Sequence, residues 1–254
     1  MAELVHCTVE GGVATITLDS PTNRNALSRQ LVTELNKALD RCQQPDVRAA
    51  VLTHADPVFC SGADLKERSS GTQEAQAAGN PMADVMERLA SMNAITIAAV
   101  NGPVRAGGVG LMAACDLIVV QRDVTFAFTE VRIGVAPAII SVPILARCGW
   151  SKLAAPFLTG EAFAAEAARD MGLITHVADD VGDAVATLVK GILAGAPKAV
   201  AASKQLLRNP STSYAEMAVL SESLFRSDEA AEGMRAFAEK RPPSWVAPAG
   251  ETGV

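Results

Sequence analysis

A glycine-rich stretch near the middle of the chain, GGVG at residues 107–110, follows an apolar run and opens a short predicted helix. Glycines let a backbone approach a ligand or a neighbouring segment closely. From Gly108 onward, the order G-x-G-x-x-A also fits the phosphate-binding turn of a dinucleotide fold. That helix has room for only about two turns before Asp116, and Glu130 lies past the strand that should end in an acidic residue. A dinucleotide site and simple helix–strand packing are two interpretations of this stretch.

A second loop of small residues supports a third interpretation. The stretch FCSGADL, residues 59–65, follows a predicted buried strand and leaves room for a ligand beside its backbone. Backbone N–H groups from two separate loops can stabilise the negative charge that develops on a carbonyl oxygen. One donor from Gly107 or its neighbours and one from this loop would form such an oxyanion hole.

An α/β arrangement is needed to position these loops. Two alternating runs flank Gly11-Gly12 and predict a hairpin, and Ser28 is a candidate N-cap for an amphipathic helix. Two apolar strands flank the glycine-rich helix, which predicts a crossover between parallel strands. The residues 125–134 read as a further extended piece, and from Pro137 onward the pattern is almost entirely helical.

Composition narrows the classes of partner. The chain has 254 residues, a formal net charge of −6 and no basic block, so nucleic acid is not expected as its main partner. Five scattered cysteines without a CxxC pair favour a reducing, cytoplasmic setting and lack metal-ligand spacing. No apolar run reaches the roughly 18 residues of a membrane span. We expect no metal and no redox cofactor.

Six stretches in order resemble the enoyl-CoA hydratase/isomerase (crotonase) family over almost the whole chain. The resemblance implies an α/β fold with a crotonase-like spiral of ββα units, followed by a C-terminal helical trimerisation region. Residues 1–195 would form the acyl-CoA-binding core and residues 196–254 the helical region. The six stretches are VATITLDSPTNRNALS (13–28), FCSGADLKE (59–67), AAVNGPVRAGGVGLMAACDLIVV (98–120), FAFTEVRIGVAP (126–137), LTGEAFAAEAARDMGLITHV (158–177) and EGMRAFAEKRPPSW (232–245).

The resemblance implies an acyl-CoA thioester as substrate, with coenzyme A as part of that substrate and not a separate cofactor. By position, Ala63 and Gly107 would supply the two oxyanion-hole donors and Glu130 would be the catalytic acid/base. Hydratases of the family usually carry a second glutamate, and Gly110 stands at its place. The assembly implied is a homotrimer or a dimer of trimers.

The missing second glutamate leaves three functions open. The first is a hydratase (a hydro-lyase) that adds water to a 2-enoyl-CoA with Glu130 alone. The second is a Δ3-Δ2 enoyl-CoA isomerase, which needs only one base to move a proton from C2 to C4. The third is a protein that binds acyl-CoA with little or no catalysis.

Further residues are assigned to the site by the resemblance. Phe237 and Lys240 resemble residues that reach the nucleotide of a neighbouring subunit, and Asp64 is also a candidate helix cap. Pro137 and Ile139 replace a glycine-rich segment, so we expect them to shape the acyl pocket, and Gly108 is expected to let the thioester lie close. The predicted coenzyme A contacts are Arg24, Ala26, Asp64, Leu65, Lys66, Phe237 and Lys240, and the predicted acyl-pocket residues are Gly108, Gly110, Pro137 and Ile139.

Overall fold

The main structural element is a sheet of six strands, which are, in the order in which they lie across the sheet, β1 (Val5–Glu10), β2 (Val13–Leu18), β3 (Ala49–His54), β4 (Ile95–Val100), β6 (Leu117–Gln121) and β9 (His176–Ala178). The computed structural model describes residues 2–55, 57–70 and 80–246. β1 and β2 are antiparallel, and each later neighbour in the sheet is parallel.

The predicted hairpin and the predicted crossover are both confirmed. Gly11 and Gly12 turn the chain between β1 and β2 with φ of 55° and 82°, values that L-residues with side chains rarely adopt. β4 and β6 pair in parallel on either side of the glycine-rich segment. The carboxyl end of β4 therefore leads directly into that segment.

Helices cover both faces of the main sheet. α1 (Arg29–Cys42) begins after Ser28, whose hydroxyl accepts a hydrogen bond from Leu31 N–H, as the capping pattern predicts. On the opposite face, α8 (Val181–Ala194) packs Val185 into a separate apolar cluster. β4 is buried along its whole length because both of its faces are covered.

A second, three-stranded sheet carries the segment that leads to Glu130. It consists of β5 (Val104–Arg105), β7 (Thr125–Ala127) and β8 (Phe163–Ala164). The prediction that residues 125–134 are extended is wrong beyond Ala127, because Thr129–Ile133 form a 3-10 helix. β8 offers only two residues for pairing, so the ladder ends there, and Gly134 closes the 3-10 helix with φ of 76°.

The predicted change from an α/β core to a mostly helical second part is confirmed, but the short strands β8 and β9 also lie beyond Pro137, and β9 completes the main sheet. None of the helices in the described ranges could cross a membrane by itself; α8 and α9 (Pro197–Arg208), which meet at 114°, have the necessary length and composition only together. The remaining helices are α2 (Leu65–Ser70), α3 (Pro81–Ser91), α4 (Gly107–Ala113), α5 (Ala138–Leu145), α6 (Trp150–Thr159), α7 (Ala165–Met171), α10 (Tyr214–Phe225) and α11 (Asp228–Glu239).

A buried cluster of charges joins α9 to the main sheet just beyond the end of α4. Asp116 accepts hydrogen bonds from the backbone and side chain of Thr96 at 2.8 and 2.9 Å. Its two carboxylate oxygens also pair with Lys204 Nζ at 2.8 Å and Arg208 Nη2 at 2.7 Å. Lys204 is only 4% exposed, so its positive charge is stabilised by Asp116 and not by water.

Substitution of Asp116 by Ala is expected to lower the free energy of unfolding by about 3–5 kcal/mol, because Lys204 would keep a buried charge without its counter-ion. Urea unfolding followed by circular dichroism measures this loss. Asp179→Ala is the control, because Asp179 pairs with Arg122 at the exposed surface and should change the midpoint little. Equal losses in the two variants would contradict a special role for the buried cluster.

Candidate active site

Segments that are far apart in the sequence meet beside the amino end of α4. The backbones of Cys60 and Val104 form an isolated parallel β-bridge, and Val104 also pairs with Phe126 of β7. Leu27 and Ala63 form a second β-bridge, in which Leu27 N–H donates a hydrogen bond of 2.8 Å to the Gly62 carbonyl oxygen. The loop of residues 59–65, the glycine-rich stretch and the segment before Glu130 therefore form one continuous backbone framework.

The turn that contains Ala26 is anchored by a buried asparagine. Asn25 has φ of 54°, accepts a hydrogen bond from Ser20 N–H at 2.7 Å and donates one to the Val58 carbonyl oxygen at 2.9 Å. Ala26 is buried beside it, and Arg24 is exposed. Sequence reasoning did not single out Asn25, although Asn is among the few residues that tolerate a positive φ.

The two predicted oxyanion-hole donors lie close together. A Cβ atom placed on Gly107 would lie 3.8 Å from the Ala63 nitrogen, and one placed on Gly62 would lie 3.4 Å from the Gly107 nitrogen. In the part of the chain that the structure describes, neither Ala63 N–H nor Gly107 N–H donates a hydrogen bond to another residue. Two backbone donors without acceptors therefore lie side by side, as an oxyanion hole requires.

Glu130 lies on the 3-10 helix that follows β7, three residues after the ladder with β5 ends. Its Oε2 atom is buried and has no hydrogen-bond partner in the described residues. Burial raises the pKa of Glu130 above its ordinary value, although a hydrogen bond with its own backbone acts in the opposite direction. A partly desolvated carboxyl group with a raised pKa and an unused oxygen is suited to proton transfer.

Gly108 lies where α4 packs closely against Cys60. A Cβ atom at Gly108 would lie 2.7 Å from Cys60 Cβ and 2.9 Å from the Cys60 carbonyl oxygen. The glycine is therefore needed because α4 crosses the loop of residues 59–65 at close range. The expectation that Gly108 also lets the thioester lie close stays a prediction.

The place of the second glutamate is filled from α5. A Cβ atom at Gly110 would lie 2.4 Å from Ile140 Cγ2, 2.6 Å from Ile140 Cβ and 2.7 Å from Met86 Cε. Pro137 is buried at the start of α5, and the half-buried Ile139 packs against the core. Even a methyl side chain does not fit at Gly110 while Ile140 remains where it is.

The residues predicted to bind coenzyme A fall into two groups. Asp64 follows the loop directly and caps α2, because its carboxylate accepts hydrogen bonds from Lys66 N–H at 3.0 Å and Glu67 N–H at 3.2 Å. Burial acts to raise the pKa of Asp64, but the hydrogen bonds that it accepts hold it below its ordinary value. Leu65 and Lys66 are exposed on the first turn of that helix.

The second group lies at the far end of the chain. Phe237 is 87% exposed on α11, and Lys240 ends that helix with φ of 52°. In the described ranges, no hydrogen bond or ion pair joins either residue to the other predicted site residues. A role for these two residues at the nucleotide of a neighbouring subunit stays a prediction.

Comparisons with known proteins agree with this architecture. A family model described as enoyl-CoA hydratase/isomerase matches residues 8–248. Enoyl-CoA hydratase EchA19 of Mycobacterium tuberculosis is 33% identical over 92% of this chain and 93% of its own length. The crystal structure of an enoyl-CoA hydratase from Shewanella pealeana is 28% identical, covers 95% of this chain and 96% of its own, and superposes with a TM-score of 0.88. The crystal structure of an enoyl-CoA hydratase from Mycobacterium avium is 41% identical, covers 96% of this chain and 100% of its own, and superposes with a TM-score of 0.72.

These matches extend over nearly the whole chain and agree with the sheet, the helices and their order described above. The fold is the crotonase-type α/β fold with additional C-terminal helices. The chain belongs to the enoyl-CoA hydratase/isomerase family.

Proposed function

We propose that this protein hydrates a 2-enoyl-CoA thioester, with Glu130 as its one side-chain acid/base. The observation that carries the proposal is the half-buried Glu130, whose Oε2 atom is buried and has no partner among the described residues. The raised pKa of Glu130 supports the same role. Relatives that are named enoyl-CoA hydratases support the choice of reaction.

In the proposed mechanism, the thioester carbonyl oxygen accepts hydrogen bonds from Ala63 N–H and Gly107 N–H. Glu130 takes a proton from a water molecule as the hydroxide oxygen bonds to C3 of the acyl chain. The electrons of the double bond then move to the thioester, and the two backbone donors stabilise the resulting enolate. Glu130 returns the proton to C2, so one carboxyl group serves both halves of the addition.

Coenzyme A enters this scheme as part of the substrate. We propose that Arg24, Leu65 and Lys66, which are exposed in or beside the loop of residues 59–65, contact the coenzyme A part of the substrate. A proposed role for Asp64 is limited to holding α2, since its carboxylate is already occupied. A reducing, cytoplasmic setting is proposed on the basis of the five cysteines, which are all free.

A second candidate reaction is Δ3-Δ2 isomerisation of an enoyl-CoA. The observation that favours it is the apolar wall of Ile140 and Met86 at the place where a second carboxylate would act. An isomerase needs no activated water, because one base removes a proton at C2 and returns it at C4. Glu130 alone is sufficient for that exchange.

Separate assays with a 2-enoyl-CoA and a 3-enoyl-CoA distinguish the candidates. Loss of the conjugated enoyl absorbance with the first substrate is expected for a hydratase. Appearance of that absorbance with the second substrate, without activity on the first, would instead identify an isomerase. Binding of acyl-CoA with no turnover of either substrate would identify a binding protein and overturn both proposed reactions.

We further propose that the protein assembles as a trimer or a dimer of trimers. Large apolar side chains are exposed along the C-terminal helices, including Tyr214 at 94%, Val219 at 72% and Phe225 at 65%. Such exposure is typical of a face that another subunit covers. Light scattering should give three or six times the chain mass of 26.4 kDa, and a stable monomer would contradict the proposal.

A further inference from the structure

Ala106, the residue before Gly107, has a backbone conformation that alanine rarely adopts. Its φ is 49° and its ψ is −123°, the values of the first central residue of a type II′ turn, which is normally glycine. Arg24 and Lys240 also have positive φ, but their ψ values of 48° and 40° place them in the ordinary left-handed helical region. Ala106 is therefore in a strained conformation for a residue with a Cβ atom.

Hydrogen bonds on both sides hold Ala106 in this conformation. Its N–H donates to the Ala127 carbonyl oxygen of β7 at 2.9 Å, and its carbonyl oxygen accepts from Val109 N–H of α4 at 2.9 Å. The chain must change direction between these two bonds, and φ and ψ of Ala106 provide that change. The strand before Glu130 and the first turn of α4 are thus connected through this one residue.

The second of these hydrogen bonds also sets the direction of the Gly107 N–H group. A trans peptide is planar, so its C=O and N–H bonds point in opposite directions. Because the Ala106 carbonyl points into α4, Gly107 N–H points away from the helix. No described residue accepts a hydrogen bond from it, and Ala63 N–H lies beside it.

The methyl group of Ala106 packs against the other donor loop. A Cβ atom placed on Gly62 would lie only 2.8 Å from Ala106 Cβ, and Gly62 itself has φ of 96°. The methyl group therefore occupies the space beside Gly62, the residue directly before Ala63. It sets how closely the two loops approach each other.

We infer that Ala106 is a positioning residue for the oxyanion hole: its strained backbone aims Gly107 N–H, and its methyl group sets the distance to Ala63 N–H. This inference rests on the proposed function of the site. Ala106 does not touch the reacting atoms. It acts through the two backbone donors, and glycine at this position would relieve the strain but loosen both constraints.

The test compares Ala106→Gly with Ala114→Gly, which removes the same methyl group just beyond the other end of α4. Ala114 has ordinary helical angles, φ of −71° and ψ of −21°. For Ala106→Gly we expect kcat on the enoyl-CoA substrate to fall at least about tenfold, less than the roughly 10²–10³-fold that follows loss of a whole donor. KM should stay within about twofold, and the urea midpoint should stay the same or rise because the strain is gone. Ala114→Gly should lower the midpoint and leave kcat unchanged.

A spectroscopic readout separates this inference from the proposed reaction. Binding of a 2-enoyl-CoA to the wild-type protein should lower the infrared stretching frequency of the thioester carbonyl, and Ala106→Gly should reduce that shift. An unchanged shift and an unchanged kcat in Ala106→Gly would overturn the inference while leaving the proposed function intact. A fall in kcat accompanied by a lower urea midpoint and an unchanged carbonyl shift would mean a merely structural role, and would also overturn it. If the wild-type protein shows no carbonyl shift, or binds no 2-enoyl-CoA, both the oxyanion hole and the role of Ala106 are wrong.

Discussion

Substitution of Glu130 by Gln is expected to lower kcat on the enoyl-CoA substrate by about 10²–10⁴-fold, the usual contribution of a general acid/base. Gln has nearly the same shape but cannot accept and return a proton. Neither Gly110 nor Asp64 offers a substitute, because Gly110 has no side chain and the Asp64 carboxylate caps α2. Initial rates with a 2-enoyl-CoA and a 3-enoyl-CoA measure the loss for both candidate reactions.

The pH dependence of the wild-type protein follows from the same carboxyl group. Glu130 must be ionised to accept a proton, and burial raises its pKa. The acidic limb of kcat/KM should therefore lie above the ordinary glutamate pKa of about 4.3, with activity lost as the pH falls through the raised pKa. Any residual activity of Glu130→Gln should lack this limb.

As the pH rises through the titration of Glu130, the stability of the folded protein should fall while its activity rises. When a carboxyl group has a raised pKa in the folded state, the folded protein binds more protons than the unfolded chain between the ordinary and the raised pKa. Stability therefore falls as the pH rises through that window. At neutral pH, Glu130→Gln removes this penalty, so its urea midpoint should equal or exceed that of the wild type.

Glu161→Gln is the control for this substitution, because Glu161 is an exposed carboxylate near the start of β8. It should retain wild-type kcat and the wild-type acidic limb. Undiminished turnover in Glu130→Gln would refute the proposed mechanism. A large fall in its urea midpoint would instead attribute the lost activity to misfolding.

Local sequence signals were sufficient to predict most of the framework. The Gly11-Gly12 hairpin, the Ser28 cap and the apolar strands around the glycine-rich stretch depend on short-range preferences that operate wherever the sequence occurs. The order of the two small-residue motifs predicted that their backbones would meet, and the family resemblance assigned Ala63 and Gly107 as donors; in the structure, a Cβ atom placed on Gly107 would lie 3.8 Å from the Ala63 nitrogen.

Contacts between distant segments could not be predicted in the same way. The alternating pattern around Glu130 resembles a strand, yet the chain forms a 3-10 helix because β8 is too short to continue the ladder. A side chain at position 108 would overlap Cys60, and a side chain at position 110 would overlap Ile140. Neither pairing follows from a local pattern, because each depends on how α4 crosses another segment.

Substitution of Gly110 by Glu, which places a carboxylate where two-glutamate hydratases have one, is expected to lower the free energy of unfolding by at least about 5 kcal/mol. The new Cβ atom would overlap Ile140 Cγ2, which lies 2.4 Å from its position, and overpacking of this kind costs about 1–3 kcal/mol. A carboxylate buried against apolar side chains without a partner adds several kcal/mol more. Urea unfolding should show a greatly lowered midpoint or no folded baseline.

Two alanine variants separate steric overlap from buried charge. Gly110→Ala should be destabilised by about 1–3 kcal/mol from overlap alone, whereas Gly191→Ala, in open space on α8, should be slightly more stable because alanine favours a helix. Combining Gly110→Ala with Ile140→Gly should cost less than the sum of the two single changes, because the double variant removes the overlap. If Gly110→Glu folded with the wild-type midpoint and hydrated 2-enoyl-CoA faster, α5 would have to move away from α4. Ile140 would then not be what limits this site to one carboxylate.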